Sequence, residues 1–124
     1  MDTITKLVTP GIALFLTLIF GFWLSGSGKP YSGVLFNVHK LIALGAVIAA
    51  AIQLARVLKG ADSLALIIVL LVVAGICVIA LFATGTLMSI EKMDYRLVLT
   101  IHQISTAVLV FAVGLVAYLI VRQP

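Results

Sequence analysis

Four long stretches of this chain carry almost no polar side chain, and three short polar breaks separate them. The apolar runs cover about 4–24, 32–58, 63–90 and 95–121, and the breaks read SGSGKPYS, LKGADS and EKMDYR. Each run meets the roughly 20 residues that a helix needs to cross a bilayer. Strict alternation of period two is missing, which disfavours a transmembrane barrel. Short loops make consecutive helices antiparallel neighbours. The pattern therefore predicts one all-α domain over 1–124, an up-down-up-down four-helix bundle in the membrane. Asp62 and Asp94 precede the third and fourth runs and suit N-caps, since a carboxylate accepts from unpaired N–H groups of the first turn. Pro10 either starts the first membrane helix or sits within a longer one.

Composition sharpens this picture. The 124 residues are 64% hydrophobic and 10% charged, against about 45–50% and about 25% in soluble domains. So short a chain has no interior able to hide that surface, so the surplus faces lipid. Eight Lys and Arg give a formal charge of +4, but they are scattered, with no basic stripe or interleaved aromatics. Nucleic-acid binding is not expected. The single Cys77 excludes an intrachain disulfide. The first run is not expected to be a cleaved signal peptide, since its apolar stretch is long and no small-x-small site is followed by a soluble mature domain. GSGKP lacks the glycine spacing and strand–loop–helix context of a phosphate-binding loop.

The chemistry concentrates in two residues. His39, in FNVHKL, and His102, in TIHQIS, are the chain's two histidines. They lie about seven and eight residues into the second and fourth runs, hence about 10–12 Å along their helices. In a sequential bundle those two helices are diagonal, and both start on the side opposite the termini. Two imidazoles at one depth on diagonal helices suit the two axial positions of a haem iron. Small residues accompany them: Ala43, Ala46 and Ala50 after His39, Gly45 a little aside, Ser105 and Thr106 beyond His102, and Thr84 and Gly85 near the same end of the third helix. Such residues make room for a macrocycle, and they also serve plain helix packing. A two-histidine copper or zinc site is the rival ligand reading, but it lacks a third ligand at that depth. Met88 is an alternative axial ligand, although methionines commonly fill cores. Lys29, Tyr31, Lys40, Tyr95 and Arg96 fall near the same membrane surface and suit haem propionates. They suit an ordinary interfacial belt with Trp23 as well.

In its His39 and His102 motifs, and in its topology throughout, the chain resembles the small b-type membrane cytochromes, among them the ferric-reductase and ascorbate-dependent cytochromes and the bacterial four-helix cytochromes b. The resemblance implies haem b and single-electron transfer. It departs from those families in one respect. They hold two haems on two histidine pairs, whereas the terminal side of this chain offers no histidine, with Gln53 its most notable polar group. One haem b is the expectation, exchanging electrons at one face with a quinone or a redox partner subunit. With both axial positions filled, oxygen carriage is not expected. Whether the chain counts as an enzyme or as the electron-transfer component of an oxidoreductase stays open.

Orientation rests on a narrow balance. Lys6, Arg56, Lys59 and Arg122 fall on the terminal side, and Lys29, Lys40, Lys92 and Arg96 on the other. Setting aside Lys40, which lies within its helix, favours cytoplasmic termini. The expectation is a multi-pass protein of the cell membrane. An even balance also permits a dual-topology homodimer, as in small multidrug transporters. Proton-coupled export needs an embedded carboxylate, and Asp2, Asp62, Glu91 and Asp94 all sit at termini or breaks. A non-catalytic accessory subunit of a larger membrane complex is the remaining alternative.

Overall fold

The protein is described by a computed structural model that covers residues 3–27, 33–59, 65–90 and 94–122, the side chain of residue 3 excepted. Four helices account for nearly all of them: α1 (Thr3–Ser27), α2 (Gly33–Leu58), α3 (Ala65–Ile90) and α4 (Tyr95–Arg122). No strand occurs among the described residues. The all-α, four-helix class is as expected, and the boundaries fall within three residues of those read from hydropathy. Each helix is long and apolar enough to cross a membrane, with mean hydropathy between 2.1 and 3.3 over its most apolar window.

The chain forms two compact units, residues 1–61 and 62–124. Each is a helical hairpin, α1 against α2 and α3 against α4. The hairpins match in the spacing of their elements. The last residues of α1 and α3, Ser27 and Ile90, are 63 positions apart; the first residues of α2 and α4, Gly33 and Tyr95, are 62 apart; and the last, Leu58 and Arg122, are 64 apart. His39 and His102 are separated by 63, as are Lys29 and Lys92, and Lys59 and Arg122. The two histidines therefore occupy equivalent positions of their hairpins.

Inside the second hairpin, Ala74 and Cys77 of α3 pack on Leu109 and Ala112 of α4, flanked by Leu70, Val73, Val78, Leu81 and Val113. Small residues at the centre of this contact bring the two backbones close, which is how helices associate where lipid is as apolar as leucine. In the first hairpin Leu24, Ala46 and Val57 are buried. Phe22, Ile79 and Phe111 each remain more than 70% accessible, an outward apolar surface suited to lipid and far beyond what a water-soluble monomer exposes.

Five threonine hydroxyls on the helices are satisfied locally, as a medium without water requires. Thr17, Thr84, Thr86, Thr100 and Thr106 each donate a hydroxyl to the carbonyl four residues back, at 2.7–2.9 Å. Asp94 is the N-cap of α4: its carboxylate accepts from the Arg96 N–H at 3.1 Å, and its carbonyl accepts the first helical bond, from Val98. Asp62 lies outside the described residues. Pro10 lies inside α1 and is buried; the helix begins seven residues earlier, so the proline is not its first residue.

Candidate functional site

His39 is half-buried and turned toward α1. Its Nδ1 lies 3.1 Å from the Thr17 carbonyl oxygen. A carbonyl can only accept, so Nδ1 carries the proton and the neutral ring keeps its lone pair on Nε2. The approach depends on Gly21, one turn after Thr17. A Cβ at Gly21 would stand 2.9 Å from His39 Cε1 and 3.5 Å from Nδ1. The missing side chain makes the notch into which the imidazole fits, and it uncovers the carbonyl one turn back for a second hydrogen bond.

His102 is likewise half-buried and turned toward α3. Its Nδ1 lies 2.8 Å from Thr84 Oγ1. The Thr84 hydroxyl sits 2.7 Å from the Ala80 carbonyl oxygen and 3.2 Å from that of Leu81. Its one proton is needed there, since two acceptors at 2.7 Å would repel. The hydroxyl therefore accepts from Nδ1–H, and the His102 lone pair also falls on Nε2. A Cβ at the neighbouring Gly85 would make an ordinary 3.9 Å contact with His102 Cε1.

A ligating imidazole with its other nitrogen donating to a backbone or side-chain oxygen is the usual form of a metal-binding histidine. That hydrogen bond fixes the tautomer and raises ligand basicity. In both histidines Nδ1 makes such a bond, to the Thr17 carbonyl and to the Thr84 hydroxyl. Among the described residues no group of three His, Cys, Asp or Glu comes together.

The other sequence candidates separate into groups. Ala46 is buried and Ala43 and Ala50 are half-buried on the inner side of α2, whereas Gly45 faces open space. Met88 and Tyr95 are half-buried, and Lys40 and Arg96 are exposed. Lys29 and Tyr31 lie outside the described residues. Of the carboxylates, Asp94 is exposed and committed to its cap. Gln53, half-buried on α2, has a side-chain oxygen without a hydrogen-bond partner. Comparison with family models, with curated proteins and with solved structures gives no match.

Three contributors are not evident in the sequence, the Thr17 carbonyl, the Gly21 notch and the Thr84 hydroxyl. The Thr17 carbonyl is backbone and has no letter of its own. Thr84 was read as a small residue making room, although it supplies the acceptor for His102. The 63-residue interval between the histidines aligns Thr17 with Ala80 and Gly21 with Thr84, and only the pairing of the helices shows that both positions face a histidine.

Proposed function

We propose that the protein is a membrane b-type cytochrome with one bis-histidine haem, His39 and His102 supplying the axial nitrogens. The observation that carries this reading is the matched anchoring of the two rings. Each histidine, at the equivalent position of its hairpin, has Nδ1 held by an oxygen of the preceding helix, at 3.1 Å from Thr17 and 2.8 Å from Thr84. A ligating histidine needs such a defined tautomer. When bound, the haem would supply one-electron redox chemistry.

The residues of the chain have three tasks in this reading. Thr17 and Thr84 orient the ligands. Gly21 and the alanines of α2 leave space beside them. Lys40, Arg96 and Tyr95, together with Lys29, neutralise and hydrogen-bond the propionates at the membrane surface. Electrons exchange at the membrane face opposite the termini, with a quinol or a partner subunit, and the termini are cytoplasmic. The resemblance to the small b-type cytochromes supports the same function.

The test is direct. Protein purified in mild detergent with haem supplied should be red and show a low-spin b-type spectrum on reduction. His39→Ala and His102→Ala should each abolish that spectrum while the helical circular dichroism persists. Retention of the wild-type spectrum by both variants would overturn the ligand assignment.

A further inference from the structure

The two anchors are not alike, and the matched spacing of the hairpins shows how they differ. At the 63-residue offset Thr17 aligns with Ala80 and Gly21 with Thr84. In the first hairpin the imidazole reaches the carbonyl of residue 17 directly, across the glycine notch. In the second, a threonine fills the notch. Its hydroxyl stands between the ring and the equivalent carbonyl, at 2.8 Å from His102 Nδ1 and 2.7 Å from Ala80 O. The direct bond of one hairpin is a two-step relay in the other.

We propose that Thr84 is the positioning residue of His102: its hydroxyl relays the Ala80 carbonyl to Nδ1–H, fixes the Nδ1–H tautomer and so aims the Nε2 lone pair for ligation. Thr84 is 6% accessible, the one buried polar side chain among the described residues. A group so placed must have its hydrogen bonds met, and here each is met by a partner that fixes its direction. The single hydroxyl proton goes to the helix carbonyl, which leaves oxygen lone pairs for the ring. Valine has nearly the same shape and no acceptor. With valine at 84, the Nδ1 proton would face an apolar wall at a cost of about 1–3 kcal/mol. The neutral ring avoids that cost by carrying its proton on Nε2, where it blocks ligation. Serine keeps the hydroxyl and the relay.

The inference rests on the haem reading only for its consequence, since the tautomer exists in the protein without haem. The experiment uses the full chain, labelled with ¹⁵N-histidine, in mild detergent without haem. Long-range ¹H–¹⁵N correlation distinguishes the two neutral tautomers, and the His39→Ala and His102→Ala variants assign the signals. In the wild type both rings should show the Nδ1–H pattern. In Thr84→Val the His102 signals should move toward the Nε2–H pattern while those of His39 stay unchanged, which also reports that the first hairpin is intact. Thr84→Ser should match the wild type. With haem supplied, Thr84→Val should weaken binding about 10–100-fold, the usual effect of removing such an outer hydrogen bond, and Thr84→Ser should restore it. An Nε2–H pattern for His102 in the wild type, or an unchanged Nδ1–H pattern in Thr84→Val, would overturn the relay. A wild type with both rings Nδ1–H that takes up no haem would overturn the cytochrome reading and leave the relay standing.

Discussion

Gly21→Ala is the substitution whose outcome the geometry fixes most closely. Two effects oppose each other. Alanine in place of a helical glycine favours the helix by about 0.8–1.0 kcal/mol. Against this, the new Cβ would stand 2.9 Å from His39 Cε1, where ordinary contact begins at 3.4 Å. The ring must retreat by about 0.5 Å, a few tenths beyond the tightest comfortable contact. It retreats from α1, the helix that also carries the Thr17 carbonyl, so the 3.1 Å bond to Nδ1 lengthens toward the limit of a hydrogen bond. A donor left unpaired in apolar surroundings costs about 1–3 kcal/mol. Gly85→Ala is the matched control. It gains the same helix preference, and its Cβ makes an ordinary 3.9 Å contact with His102. Reversible unfolding of the full chain in mild detergent should therefore place Gly85→Ala at or above the wild type. Gly21→Ala should lie about 1–3 kcal/mol below Gly85→Ala, with displaced His39 signals in the ¹⁵N spectrum. Equal stability of the two variants with unmoved His39 signals would show that the glycine notch does not govern the ring.

Two further outcomes follow from the cap and from the placement of the ligands. Asp94→Ala should lower stability by about 1 kcal/mol, read from the same unfolding transition, and Asp94→Asn should retain most of the wild-type value, because an amide oxygen still caps the Arg96 N–H. In oriented vesicles containing the haem-loaded protein, a membrane-impermeant reductant confined to the face opposite the termini should reduce the pigment quickly, and the same reagent on the side of the termini should act slowly or not at all; equal rates from both sides would refute the proposed one-faced exchange.

The helices were legible in the sequence because lipid imposes a simple rule: a span needs about 20 apolar residues, and polar breaks mark its ends. The ends of α2, α3 and α4 were read to within two residues on that rule. His39 and His102 were equally legible as two ionisable residues in otherwise apolar runs, and such residues are functional candidates by default. What holds the rings was less so. Thr17 contributes a main-chain oxygen, and any residue carries one. Gly21 contributes an absence whose meaning depends on which α2 residue crosses it. Thr84 could be seen as small, but its hydroxyl acquires a role only once α3 and α4 are packed side by side. Pro10 illustrates the reverse case: sequence allowed two placements, and the extent of α1 selected the interior one.

The outward apolar surface of the helices has a calorimetric consequence. A soluble domain that unfolds wets its apolar side chains and absorbs about 12–15 cal/mol/K per residue in added heat capacity. Phe22, Ile79 and Phe111 already point away from their hairpin partners, and residues such as Ala74, Cys77, Leu109 and Ala112 would meet acyl chains, not water, when α3 and α4 separate within a bilayer. That separation should carry almost no heat-capacity increment. The stability of each hairpin would then vary nearly linearly with temperature, without the curvature that gives water-soluble proteins a cold-denatured state.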